Sequence, residues 1–562
     1  MKYANWNVPE RGAEIPRALL AAGCTPLLAA ILHLRGLSDP AAARSFLRGG
    51  AETLTNPLEL TGMVDAVQRL TRAVATGEHV AVYGDYDVDG ITAACLLTDY
   101  LRFRGLTCEL RIPDRISEGY GLNTAAIDAL AKEGVTLIVT VDCGVTNLEE
   151  TAYAAQRGVD MIVTDHHECR EALPEAEAVV DPKQPDSSGV GTALAGVGVA
   201  FKLVCAMDGD ADKMLARYGD LVAVGTVADV MPLLGENRFI TRCGLQKIAA
   251  GDCRPGFLAL AEEAGVRDKP FTASTVGFSL APRINAAGRL GEPSLAVRLL
   301  EETDLRRARV LAAELCAKNR ERQALEMEIW REAVERLHGE QPDAPIVLAS
   351  EGWHPGVIGI VASRLTDAYS VPAVMICLDG ESGKGSCRST GSFNLFEALS
   401  ACSDCLEGFG GHAMAAGVTV RRGCVDELRS RLREYYLSHP DRTLPALEAD
   451  LLVDSPELLT MACVESLDEL EPCGNGNPRP LLYMENVSLD SVQPIGGGKH
   501  LRLKLAKFGQ TYDGVFFSQT APALGARAGQ RCDIVFAPQI NEFHGRRSVQ
   551  LVITDLRRSK EG

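Results

Sequence analysis

A chain of 562 residues is too long for a single hydrophobic core and should divide into three or four domains. Its 46% hydrophobic and 23% charged residues are ordinary for a globular protein, while a net charge of −18 argues against indiscriminate coating of nucleic acid. No run of eighteen apolar residues occurs, and Met1-Lys2-Tyr3-Ala4-Asn5-Trp6 lacks a basic-then-apolar signal pattern, so a soluble cytoplasmic protein with no membrane association is expected.

Residues 1–54 carry helix-like Ala/Leu runs and no recognisable chemistry, and read as a helical preface. Seventeen cysteines at no repeating spacing suggest buried reduced thiols, and Cys402-Ser403-Asp404-Cys405 is a lone CxxC with no second pair at zinc-ribbon distance.

From residue 79 short apolar segments alternate with amphipathic helices, the pattern of a parallel sheet covered on both faces. Strands are expected at 80–83, 108–112, 136–141, 161–164 and 178–180. The first runs into Gly84-Asp85-Tyr86-Asp87-Val88-Asp89-Gly90, three aspartates at alternate positions just before a helix. Such crowding is costly unless a cation neutralises it, and a divalent ion with hard oxygen preference does so. An isolated calcium loop of the EF-hand kind would need a glutamate at its twelfth position, where counting from Asp85 finds Leu96.

Two further strands end in polar residues, Asp142-Cys143-Gly144 after the third and Asp165-His166-His167 after the fourth, and Asp229 closes another apolar stretch. Right-handed crossovers point all parallel strands one way, so these strand-end acids converge on one edge. Aspartate and histidine suit Mn²⁺ or Mg²⁺. Two such ions sharing Asp142 could serve in-line phosphoryl displacement, leaving His167 free to give a proton to the departing oxygen. Taken alone, a pair of adjacent histidines reads more readily as a turn or core feature.

These motifs together resemble the DHH phosphoesterase superfamily and, within it, the RecJ family of single-stranded-DNA exonucleases. Further matching stretches are Glu118-Gly119-Tyr120-Gly121-Leu122, Gly225-Thr226-Val227-Ala228-Asp229, Pro282-Arg283-Ile284-Asn285-Ala286-Ala287-Gly288-Arg289, Trp353-His354-Pro355-Gly356-Val357-Ile358-Gly359-Ile360 and Gly410-Gly411-His412-Ala413-Met414-Ala415-Ala416-Gly417. The resemblance implies a DHH catalytic domain over 55–303, with Asp87 and Asp142 on one cation and Asp89, Asp142, His166 and Asp229 on a second. Asp85 is assigned to the first cation, in a place where Tyr83 stands for the histidine many relatives use.

Residues 304–338 contain no glycine or proline, do not hold a strict heptad and read as a connecting helix of about 50 Å. A second α/β lobe, 339–440, has glycine-rich turns around Gly383-Lys384-Gly385-Ser386-Cys387-Arg388 and Gly410-Gly411-His412, where backbone N–H groups can approach an anion. The resemblance makes it a DHHA1 substrate-binding domain, with Arg283, Ser386, Arg388, Gly411 and His412 gripping the nucleotide and its terminal phosphate. Arg115 and Tyr120, beside the acidic edge, are further candidates for contacts to the substrate's backbone or base.

From Lys499 onward eleven Lys and Arg stand against five Asp and Glu. Leu501-Arg502-Leu503-Lys504-Leu505 alternates apolar and basic residues beside the loop Gly496-Gly497-Gly498-Lys499-His500, and Phe508, Tyr512, Phe516, Phe517 and Phe543 supply aromatics. His544-Gly545 reads as a hairpin turn. An OB-type barrel over 441–562 that tracks single strands by charge and stacking fits this pattern, although core is the default place for most of the aromatics.

The expectation is therefore a metal-dependent exonuclease with two Mn²⁺ or Mg²⁺ ions. By resemblance it hydrolyses single-stranded DNA 5′-to-3′ to mononucleotides in recombination and repair, alongside a single-stranded-DNA-binding protein and a RecQ-type helicase. The rival within the same chemistry is a DHH/DHHA1 phosphodiesterase acting on short oligonucleotides or cyclic dinucleotides.

Overall fold

Five apolar segments build the first sheet: β1 (His79–Gly84), β2 (Thr107–Arg111), β3 (Leu137–Val141), β4 (Asp160–Thr164) and β5 (Ala178–Val180) lie in the order β2-β1-β3-β4-β5, every neighbour parallel. The computed structural model describes residues 3, 5–115, 118–119, 121–440, 443, 446–543 and 545–559. Each strand begins and ends within one residue of its expected place. The central ones are buried on both faces, as a sheet covered by helices requires. Helix α1 (Val88–Phe103) leaves β1 and is apolar almost all round, because it is enclosed by the sheet and by α2 (Gly196–Asp208) and α3 (Ala211–Ala228).

Helix α4 (Ala281–Arg289) precedes the 32-residue α5 (Leu305–Arg336), which at 1.5 Å per residue is about 48 Å long. Leu311, Ala312 and Leu315 of α5 lie in the core of the first lobe, whereas Ile329 and Ala333 lie in the core of the second. In that lobe β6 (Ile346–Ser350), β7 (Ala373–Asp379), β8 (Ser382–Arg388), β9 (Leu406–Gly411) and β10 (Ala415–Arg421) are ordered β9-β10-β8-β7-β6, with only β6 and β7 parallel. Helix α6 (Ile358–Tyr369) packs on β7 and β8.

Residues 51–442 with 472–476 form one compact unit, and 1–50, 443–471 and 477–562 form another. The second contains a closed barrel in which β11 (Leu482–Ile495), β12 (His500–Lys507), β13 (Gln510–Phe516), β15 (Arg546–Arg558) and β14 (Arg531–Phe543) pair in that order and β14 returns to β11. Among these five strands only β13 and β15 pair in parallel, which gives the OB arrangement. Leu501, Leu503 and Leu505 fill the interior while Arg502 and Lys504 face out. Tyr512 and Phe516 are core, Phe508 is half-buried, and Phe517 and Phe543 are exposed. His544 lies outside the described residues.

The first fifty residues, expected as a helical preface, group with the barrel's unit. The strand Asn5–Asn7 pairs in parallel with Ala446–Glu448, and Trp6 Nε1 donates to Asp555 Oδ2 at 3.0 Å. Helix Pro26–Leu34 packs on Met461–Ser466, Thr25 and Ser466 sharing a 2.6 Å hydrogen bond. Such pairing needs partners more than four hundred positions away, which local pattern does not reveal.

Ahead of the first sheet, Thr55 is tied down by Lys202 of α2. The buried ammonium donates to Thr55 O at 2.7 Å and pairs with Glu236, which also accepts from Thr55 N and Oγ1. Removing one partner of a buried pair strands the other. Lys202→Met should cost about 3–5 kcal/mol in urea unfolding, and Lys202→Met/Glu236→Leu should recover most of it.

Candidate metal centre

The carboxyl edge of the first sheet collects the acids. Asp87 caps α1, accepting from Gly90 N at 3.1 Å, and Asp89 lies in the first helical turn, where the helix dipole favours negative charge. Asp89 is buried, and its two oxygens accept from Gly196 N (2.7 Å) and Val197 N (2.8 Å) at the start of α2. Asp142 follows β3 with φ +60°, a left-handed conformation rare outside glycine, while its N–H still donates to Thr164 O at 3.1 Å. A Cβ on Gly196 would come 2.5 Å from that of Asp142, so only glycine lets α2 begin there.

His166, after β4, sits at the centre of the cluster. Its Nε2 is 3.1 Å from Asp142 Oδ1, 3.6 Å from Asp229 Oδ2 and 3.8 Å from Asp89 Oδ2. Among the described residues three sets of side chains could each hold an ion, with one ligand atom apiece and all atoms of a set within 4.8 Å: Asp85, Asp87 and Asp142; Asp89, His166 and Asp229; Asp142, His166 and His167. Asp142 belongs to the first and third sets. Asp85 Oδ1, Asp142 Oδ1 and His166 Nε2 are buried with no hydrogen-bond partner. Buried acceptors left this way are costly, and oxygen with imidazole nitrogen is the donor set that hard divalent cations take. Cys143 supplies no ligand, since its buried Sγ is directed at Tyr83 O, 3.8 Å away.

Burial, then neighbouring carboxylates, set the titration of the cluster. Asp85 is raised to about 8 by burial and Asp87, and Asp229 to about 7 by the same two causes. Asp89 and Asp142 are driven well above the usual carboxyl range, first by burial and then by the surrounding aspartates. His166 falls to about 4 through burial and the charge of His167, so its ring is neutral and its lone pair available at pH 7. Burial alone would depress His167 too, but its hydrogen bond to Asp165 and the charges of Asp165, Asp229 and Asp85 lift it to about 9.

Asp165 was not singled out from sequence, and it orients the site. Its Oδ1 accepts from His166 N at 2.7 Å and bonds His167 Nδ1 at 2.7 Å, and its Oδ2 accepts from Val145 N at 3.0 Å. Despite burial these bonds keep its carboxyl below the ordinary value. The available signal was its place, a strand-end acid beside two histidines, one of which needs an orienting partner.

Of the expected substrate contacts, Arg115 lies over the Tyr86 ring at 4.9 Å, and Arg388 reaches Ser386 Oγ at 3.1 Å and Cys387 O at 2.8 Å. Arg283 is turned to Cys316 Sγ at 3.3 Å and the Ser279 carbonyl. Gly411 and His412 are exposed at the end of β9. Tyr120 lies outside the described residues. Sequence reading passed over Arg289, which is pushed down to about 10 by burial and by the charges of Arg115, Arg322 and Arg388. Its guanidinium donates to Gly356 O at 3.1 Å, and the neighbouring Gly288 would place a Cβ 2.4 Å from Tyr86 O. An arginine cluster thus borders the acidic loop, reaching into the second lobe.

A parallel sheet with this acidic edge, a mixed second lobe and an OB barrel define the DHH class of protein. The DHH family, N-terminal domain, matches residues 79–226; the DHHA1 domain matches 327–437; the RecJ OB domain matches 450–555. The chain is 40% identical over 542 residues to the single-stranded-DNA-specific exonuclease RecJ of Bacillus subtilis (strain 168), covering 94% of this chain and 68% of that protein. It is 36% identical to the RecJ of Dickeya dadantii (strain 3937), covering 98% of each. The crystal structure of Thermus thermophilus RecJ with Mn²⁺ superposes at TM-score 0.84 and 31% identity, covering 99% of this chain and 80% of that one. The Mg²⁺ complex of the same Thermus protein gives 0.79 at 30% identity, covering 99% and 79%. This chain belongs to the RecJ family.

Metal removal exposes the electrostatics. Between pH 6.5 and 8.5 the unfolded chain has already lost the protons of Asp85 and Asp229 and sheds that of His167, whereas the folded metal-free protein retains them toward about 8, about 7 and about 9. Stability falls with pH wherever the folded state binds more protons. His166 works the other way, but only below about pH 6.5. The melting temperature of EDTA-treated protein should therefore drop from pH 6.5 to 8.5, and added Mn²⁺ should recover more of it at pH 8.5 than at 6.5; a flat apo profile would refute the raised carboxyls.

Proposed function

We propose that this protein is a metal-dependent exonuclease that hydrolyses the phosphodiester bonds of single-stranded DNA in the 5′-to-3′ direction, releasing mononucleotides in recombination and repair. The observation that carries the reading is the adjacency of two opposite clusters: an acidic edge fit for two divalent cations, and half-buried arginines beside it, Arg115 lying over the ring of Tyr86 between Asp85 and Asp87. Asp85, Asp87 and Asp142 would hold one Mn²⁺ or Mg²⁺, and Asp89, Asp142, His166 and Asp229 the other. Cations held there supply a hydroxide nucleophile at neutral pH and neutralise phosphoryl charge.

The chain's own groups do the rest. His167 keeps a proton at neutral pH and is fixed through Nδ1 by Asp165, so Nε2 is the atom that donates to the departing oxygen. Arg289 feels the charges of Arg115, Arg322 and Arg388, and Arg388 that of Arg115, and a phosphate is the natural counter-ion for such a group. With Arg115 and Ser386 they would grip the terminal phosphate and stop the strand end at a fixed distance from the acids. Lys499, Arg502, Phe517 and Phe543 of the barrel give an exposed basic and aromatic surface for single strands. A cytoplasmic setting, and work beside a single-stranded-DNA-binding protein and a RecQ-type helicase, complete the reading.

End-labelled 5′-phosphorylated linear and circular single strands test it. The linear strand should be degraded with Mn²⁺ or Mg²⁺ and the circle left intact, Asp142→Ala should abolish turnover, and Arg388→Ala should raise KM for the phosphorylated end by about 10- to 100-fold, the value of a charge-assisted hydrogen bond. Equal cutting of both strands, or action confined to short oligonucleotides and cyclic dinucleotides, would overturn the proposal.

A further inference from the structure

The acid at the end of α3, Asp229, is held differently from the others. It is the C-cap of the helix, and the next residue, Val230, has φ +58° and is exposed. Val230 N donates to Val227 O and Met231 N to Thr226 O, both at 3.2 Å, which is the bond pair of a Schellman stop. That stop normally places glycine where Val230 stands. A β-branched residue is a true outlier there, and with its side chain in solvent no burial offsets the strain.

What holds it comes from far along the chain. Asn475 Nδ2 donates to Val230 O at 2.8 Å, and Asn475 O accepts from Leu233 N at 2.8 Å. Arg238, buried, donates to Pro472 O at 3.2 Å. Cβ atoms on Gly474 and Gly476 would meet Leu233 Cδ1 at 2.8 Å and Leu234 Cδ1 at 3.2 Å, so the strap Pro472-Cys473-Gly474-Asn475-Gly476 lies flat on residues 232–234. These five residues group with the catalytic unit, although the chain on either side of them belongs to the other unit.

We infer that Asn475 is a positioning residue of the metal centre: by clamping the carbonyl of a strained Val230 it fixes the helix stop that aims Asp229 at His166 and Asp89. Hydrogen bonds that orient ligands from outside the coordination set are worth about 10- to 100-fold in metal affinity. The inference rests on the metal-centre reading and goes beyond it by naming a remote residue that sets one ligand.

Mn²⁺ titration of the full chain, followed by electron paramagnetic resonance of the free ion, tests it. Asn475→Ala should weaken one Mn²⁺ site by about 10- to 100-fold, lower turnover at limiting Mn²⁺, regain it at saturating Mn²⁺ and leave KM for single-stranded DNA unchanged. Val230→Gly in the Asn475→Ala background should restore Mn²⁺ affinity, because glycine takes the left-handed conformation without a clamp. The inference is overturned if Asn475→Ala binds Mn²⁺ like the wild type while Asp229→Ala loses a site, or if Val230→Gly restores nothing. An Asp229→Ala protein that titrates like the wild type would sink the metal-centre reading itself, and this inference with it.

Discussion

Mutual repulsion among buried carboxylates is the constraint around which the catalytic unit is arranged. Asp85, Asp89 and Asp142 are nearly inaccessible to water, and together with Asp229 their charges act on one another. A protein interior does not tolerate such a group uncompensated. Compensation is visible at two of the acids, two backbone N–H groups of α2 on Asp89 and a helix N-terminus behind Asp87, whereas Asp142 Oδ1 faces His166 Nε2 without a hydrogen bond. The charges of Arg115 and His167 offset Asp85 only in part, and burial still leaves Asp85 at about 8 and Asp89 and Asp142 well above the usual range, which is why the residual demand is for a cation.

The same logic separates charge along the molecule. A strongly acidic chain can still engage a polyanion if its cations are confined to surfaces the strand meets. Two such groups of cations stand out here, the arginines bordering Tyr86 in one unit and Arg502 with Lys504 on the outward face of β12 in the other. Helix α5 makes the first of these possible, since its two halves are built into different cores and fix the second lobe relative to the first within one unit. Arg289, on α4, then donates to the Gly356 carbonyl across the lobes.

What the sequence made legible were features with a local signature. Strand ends showed because apolar runs stop abruptly at Asp85, Asp142 and Asp165, and parallel topology turns stops into convergence. Leu501 to Leu505 showed because alternation has a period of two. Arg289 did not, because whether an arginine turns inward or outward leaves no mark in the sequence. The pairing of Asn5–Asn7 with Ala446–Glu448 and the grouping of residues 472–476 depend on contacts hundreds of positions apart, and short polar or glycine-rich segments carry no period to betray them.

Backbone strain falls in line with charge. Among the described residues other than glycine with positive φ, Asp142 (+60°) is itself a candidate ligand and Val230 (+58°) adjoins one. Both conformations cost energy that must be repaid by surrounding structure, of order 1–3 kcal/mol each. At Asp142 the return is plain, since the left-handed turn keeps the β4 ladder intact while swinging the carboxylate toward His166. At Val230 the ladder is absent, and the equivalent hold comes from a side-chain amide 245 positions away. A site whose ligands must meet within a few ångströms is thereby tuned at two strand and helix ends by backbone that would relax if released, so the geometry is set before any ion arrives.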